Sequence, residues 1–311
     1  MKILEPEHIV EQRRNRQEHS SVFRFTDVDR DRPFIPEQYT QLYHTDIYSE
    51  LTYAQQLRYN QLFGVRTNEQ FMLFESGFTN SVMGNILQHK MLDEKHSLKQ
   101  CLNILLADEK KHYEMFRSLN VTCAPEIYNN SKYYFVRLSW FERGLLAVVS
   151  HYPQHIISLL WIVLLMEEHA VRFSVDLLKF KTTKNLGELE DNFVHAHTMH
   201  LKDEAKHVHI DANLIDFVLE RSSKNKKAVN ISLLNMLIKA TLRPKHAGIN
   251  VINKLVDEFP DLASKSSHLT GALRLFSYDP VMCSMLEDQS QIPMTMALLE
   301  LYPEFEQALV I

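Results

Sequence analysis

The chain has 311 residues, 45% of them hydrophobic and 23% charged, which provides for a sizeable core and shows no bias towards disorder. A net charge of -5 argues against nucleic acid as the main partner, because phosphate binding favours a clustered basic excess. Cys101, Cys123 and Cys283 show no CxxC spacing, so neither a disulfide framework nor a cysteine-rich metal site is supported, and a reducing cytoplasm fits.

Seven glycines and long proline-free stretches favour an all-α chain over a sheet-rich one. The N-terminal MKILEPEHIVEQRRNRQ carries acids and arginines where an export signal needs an apolar centre. Residues 1–40 read as an irregular arm, with RRNR at 13–16 a solvated loop, and residues 41–311 as one helical domain. Helical patterns then follow over 50–62, 66–89, 94–118, 133–150, 153–181, 185–220, 228–241 and 245–257, with a C-terminal group from about 267. Breaks fall at TCAPEIYNNS, HYP, KTTKN and RSSKNKK, whose KNKK at 224–227 reads as another solvated loop. The apolar run IISLLWIVLLM at 156–166 is too short to span a bilayer and leads into two glutamates, so it reads as a buried helix and no membrane partner is expected. Four of these helices, 66–89, 94–118, 153–181 and 185–220, are long enough to form a bundle.

The stretch HLKDEAKHVHI at 200–210 places His200, Glu204 and His207 on one helical stripe, with Lys202, Asp203 and Lys206 pointing elsewhere. Alone, this describes an exposed helix as well as a metal site. It has a partner in LLADEKKHYEM at 105–115, where Asp108, Glu109 and His112 repeat the DExxH arrangement. Each copy follows a glutamate set in an apolar helix: Glu75 lies 34 residues before Glu109, and Glu168 lies 36 before Glu204. A helix, a turn and an antiparallel return bring the chain back to the same height after about 35 residues. Two such hairpins facing one another form the carboxylate and imidazole cage of ferritin-like di-metal bundles. Four carboxylates balance two divalent cations, and burying them without cations would cost several kcal/mol per unpaired ion.

The bland alternative is an acidic helix bundle whose pattern arose by chance. A single ExxH would favour it, and the duplication favours metal. Two positions stay open on spacing alone. Glu167 adjoins Glu168, and the polar stripe His169, Arg172, Asp176 and Lys179 places Glu167 further inward, while His197 lies near the phase of Glu204. His151, His155, His195, His209 and His246 show no comparable spacing and read as ordinary histidines.

From about residue 50 to 220 the sequence resembles the p-aminobenzoate N-oxygenase (AurF-like) non-haem di-iron oxygenases, through NEQFMLFE, ADEKKH, EEHAV and MHLKDEAKH. The resemblance implies a ferritin-like four-helix bundle with additional helices, a homodimer, and seven ligands: Glu75, Glu109, His112, Glu168, His200, Glu204 and His207. It favours His200 over His197 and Glu168 over Glu167. It further implies two iron ions, with manganese the alternative metal, O2 as co-substrate, and oxygen transfer to a small amine. No flavin, nicotinamide or iron–sulfur fingerprint is present, so a reductase or ferredoxin is expected to supply electrons. Gln70 and Phe74 stand where the p-aminobenzoate enzyme carries an arginine and a small hydroxyl residue, which directs the expected substrate away from p-aminobenzoate. A carbon hydroxylase or desaturase, and an iron-storage protein, are the competing expectations.

Overall fold

The computed structural model describes residues 2–15, 25, 27–136, 155–241, 248–276 and 288–308, with positions 140, 144, 148 and 151 between them. The expected helix over 133–150, and also His246 and Cys283, fall largely or wholly outside these residues. No strand occurs among the described residues, and the one β-type contact is an isolated bridge from Thr182 to Glu188.

The first forty residues are not wholly irregular: Pro6–Asn15 form helix α1, with Ile9 and Val10 buried, and Arg13 belongs to this helix rather than to a solvated loop. Thr52 and Gln55 cap each other's backbone amides and start α2 at Tyr53. This helix (Tyr53–Leu73) runs through a π-helical turn, Phe74–Thr79, directly into α3 (Asn80–Leu87). The two helices expected at 50–62 and 66–89 are therefore one rod. After it come α4 (His96–Cys123), a short α5 (Pro125–Tyr128), α6 (Ile157–Lys179) and α7 (Asp191–Glu220). The KNKK segment is not a loop either; it opens α8 (Lys224–Thr241). The remaining α-helices among the described residues are α9 (Ile249–Glu258), α10 (Ser266–Phe276) and α11 (Pro293–Leu301).

The core is divided along its length. One apolar cluster gathers Val82–Ile86, Leu98–Leu105, Ile157–Leu165 and Val208–Leu219, and the other gathers Tyr59–Met72, Met115–Cys123, Phe173–Leu177 and Phe193–Ala196. Each long helix thus passes from one cluster to the other and carries its acids and histidines between them. The order of passage makes α2–α3 antiparallel to α4, and α6 antiparallel to α7, with α4 and α6 running the same way. Ile127 and Tyr128 of α5 lie in the second cluster and Ile157 at the start of α6 lies in the first, which is the one-crossover connectivity of ferritin-like bundles.

Gly64 fixes how the segment before the bundle seats on it. A Cβ there would lie 2.8 Å from Cβ of Phe34, whose ring stacks on Phe193 at 4.3 Å. Gly64→Ala is expected to cost about 1–3 kcal/mol through this overlap. Thermal or denaturant unfolding measures it, and an unchanged midpoint would show that the Phe34 segment yields freely.

Candidate metal centre

The polar band between the two apolar clusters holds Glu75 from the π-helical turn, Glu109 and His112 from α4, Glu167 from α6, and His200, Glu204 and His207 from α7. None is more than 3% exposed. A π-helical turn carries an extra residue and is frequent at functional sites, and here it carries the first glutamate of the band.

Oε1 of Glu204 is the centre of the cluster. It lies 3.1 Å from Nδ1 of His112, 3.1 Å from Nε2 of His200 and 3.2 Å from Nδ1 of His207. His200 Nε2 also meets Glu75 Oε1 at 3.0 Å, and His207 Nδ1 meets Glu109 Oε1 at 3.3 Å. Of these close approaches only the His200–Glu75 pair has hydrogen-bond geometry. Both oxygens of Glu109 and Glu204, one each of Glu75 and Glu167, and both ring nitrogens of His112 and His207 are sealed from solvent without a hydrogen-bond partner. Buried polar atoms are rarely left this way. Lone pairs that converge without sharing hydrogens are what a cation requires of its donors. Two sets of four donors lie within 4.8 Å of one another: Glu75, His112, His200 and Glu204, and Glu109, His112, Glu204 and His207. The residues present therefore fit metal, in two donor groups that share His112 and Glu204.

Crowding of like charges shows in the acid–base balance. Burial, then the charges of Glu204 and Glu109, push the Glu167 carboxyl well above its ordinary range, and burial raises Glu109 to about 7. Burial opposes charge on His112 and His207, but the surrounding carboxylates outweigh it, raising His112 to about 10 and His207 well above the usual imidazole range. Burial would likewise raise Glu204, yet His207 and His200 hold it well below the ordinary carboxylate range.

Six of the seven residues that the resemblance implied as ligands meet here, and Glu168 does not. Its carboxylate turns the other way and accepts Met294 N–H at 2.5 Å and Thr295 N–H at 3.1 Å, capping the first turn of α11. Pro293 at the head of that helix has no N–H, and the next two amides go to Glu168. Glu167 is the α6 carboxyl turned to the cluster: it is buried and feels the charges of Glu204, Glu109 and His207, while belonging to neither four-donor set. The polar stripe on α6 had indicated Glu167; the match to EEHAV had overruled it. His197 stays outside: Nε2 meets Asn68 Oδ1 at 3.2 Å and the ring sits among Phe71, Phe116, Phe173 and Phe193. His209 accepts Leu4 N–H, and His151, His155 and His195 are exposed.

The aspartates of the two motifs do more than the spacing suggested. Asp203, expected to point elsewhere, places Oδ2 3.5 Å from His112 Nε2, and Asp108 Oδ2 lies 3.7 Å from His207 Nε2. Each aspartate thus sets a negative charge beside the histidine of the other motif, which favours the proton on Nε2 and leaves Nδ1 to face the centre. Lys206 is also not a solvated residue, since it holds Asp203 Oδ1 at 2.9 Å with a side chain only 7% exposed. The missed signal was the aspartate itself, which recurs in both copies of DExxH.

Fold and site together define a helical bundle with a buried carboxylate–histidine cluster able to hold metal. The family described as P-aminobenzoate N-oxygenase AurF matches residues 24–247, most of the chain, and the protein belongs to that family of oxygenases. Neither the search of curated proteins nor that of solved structures gave a match. Among the described residues no helix is long and apolar enough to cross a membrane.

Proposed function

We propose that this protein is a non-haem di-iron monooxygenase that transfers oxygen from O2 to the nitrogen of a small amine. The observation that carries the reading is the convergence of three imidazole nitrogens on one oxygen of Glu204, at 3.1–3.2 Å, inside a four-glutamate band. Family membership supports the oxygen chemistry. Glu75, His112 and His200 would hold one iron, Glu109, Glu167 and His207 the other, and Glu204 both. Bound there, the metals supply the redox chemistry of O2 activation. The chain's own part is to fix the donors: Asp108 and Asp203 orient the imidazoles, and the apolar clusters on either side keep water from the band. Nitrogen-rich ligation suits a fixed catalytic centre better than a storage site that must release its metal.

Gln70, which accepts a hydrogen bond from Arg66 at 2.6 Å, and Phe74, which packs on Phe78, stand on the helix that carries Glu75 where the resemblance places other residues for p-aminobenzoate. The acceptor amine is accordingly a different one. Electrons come from a separate reductase or ferredoxin, and the protein works in the cytoplasm, as a homodimer.

The test is turnover of reduced, iron-loaded protein under labelled O2 with a panel of aryl and alkyl amines that includes p-aminobenzoate. Label on nitrogen, dependent on supplied electrons, is the expected product. Label on carbon, or desaturation without label, transfers the assignment to a hydroxylase or desaturase. Iron uptake into a mineral with no organic product transfers it to storage.

A further inference from the structure

Both DExxH copies carry a lysine three residues after the aspartate, Lys111 and Lys206. The two lysines are used differently. Lys206 lies 2.9 Å from Asp203 Oδ1 and is nearly buried, whereas Lys111 lies 3.3 Å from Asp108 Oδ1 with a side chain 47% exposed. The tighter contact on Asp108 is from Arg13 of α1, 95 residues away, whose Nη2 donates to Oδ1 at 2.9 Å. In both halves a cation grips Oδ1 and leaves Oδ2 turned to the facing histidine. One half of the band is thus completed by its own helix, and the other by a separate element.

We propose that α1 is a latch on the metal position served by Glu109, Glu204 and His207. Arg13 orients Asp108, Asp108 orients His207, and closure of α1 and occupancy of that position reinforce each other. Arg13 is a positioning residue, four groups in sequence from guanidinium to metal. The inference rests on the metal-centre reading above. The latch is built to seat without Arg13. Leu4 N–H donates to His209 at 3.2 Å, Asn213 donates to Leu4 O at 2.7 Å, Cys101 Sγ donates to Pro6 O, and Ile9 and Val10 enter the apolar cluster. Removing Arg13 therefore loosens the support of His207 while leaving most of the docking surface in place.

Linkage makes the idea measurable without turnover: if a docked α1 strengthens metal binding, bound metal must protect α1 by the same factor. Metal-free full-length protein, R13Q and R13K are titrated anaerobically with ferrous ion, and hydrogen exchange of residues 6–15 is followed with and without metal. Wild type should take two ions and show slower exchange in α1 on loading. R13Q should bind one of the two ions up to about 10-fold more weakly, the low end of what losing a direct partner of a liganding histidine does, because Asp108 stays and keeps Lys111, and should lose the metal-dependent protection. R13K should recover part of both. Unchanged affinity for both ions in R13Q, or α1 exchange in wild type indifferent to metal, overturns the latch. Wild type that takes up no ion pair overturns the metal-centre reading instead, so the two failures are distinguishable, and the exchange measurement on wild type stands even if R13Q folds poorly.

Discussion

Glu204→Ala is expected to empty both metal positions, with iron after anaerobic ferrous reconstitution falling from two per chain to below one. Glu204 belongs to both four-donor sets, and its Oε1 is the common neighbour of three histidines. His112 is likewise shared by both sets, but it is an oxygen of Glu204 that meets three imidazole nitrogens within 3.2 Å. Removal of Glu204 leaves His200 with Glu75, His207 with Glu109 and His112 with Asp203, so each helix keeps one charge partner and the bundle has reason to stay folded. Breaking a buried ionic cluster still costs about 3–5 kcal/mol. Circular dichroism and unfolding measured beside elemental analysis separate lost metal from lost fold, and Glu204→Gln, of equal shape, sharpens the comparison. Retention of two irons by both variants would remove Glu204 from the ligand set.

Glu167 and Glu168, adjacent in sequence, should respond in opposite ways. Glu167→Gln should lower iron content by one or both ions while raising the stability of the metal-free protein, because it relieves a buried acid crowded by Glu204 and Glu109. Glu168→Gln should leave iron content near wild type and destabilise by at most about 0.5–2 kcal/mol, the usual effect of losing a helix cap, because the amide keeps one of two acceptors for α11 and escapes the burial that raises this carboxyl to about 7. Elemental analysis and chemical unfolding of the two proteins decide the matter. Metal loss in Glu168→Gln with full loading in Glu167→Gln would return Glu168 to the site.

The bundle and most of its polar band were legible because repetition carried them. Two matched copies of a glutamate followed by DExxH are a long-range signal, and hairpin geometry turns that spacing into proximity. The choice between Glu167 and Glu168 was hard to read because adjacent helical residues differ by about 100° while a pattern match tolerates a shift of one. Only the N-terminus of α11, more than a hundred residues later, reveals what Glu168 is for. The π-helical turn at Glu75 was invisible for a related reason: one extra residue in one turn leaves the apolar rhythm of the surrounding rod almost unchanged. Arg13 was hidden because RRNR looks solvated by composition, and its partner Asp108 lies 95 residues away. Local charge says little about a contact that only tertiary docking creates.

The crossed aspartates carry a consequence for the order of assembly. Asp108 stands with Glu109 and His112 on α4 but faces His207, and Asp203 stands with Glu204 and His207 on α7 but faces His112. Neither hairpin, folding alone, can set the orientation of its own histidine. The cage is a property of the seam between two halves, and a mispaired seam forfeits both imidazoles at once. Docking of the halves is in this way proofread by the same four residues that aim the nitrogens.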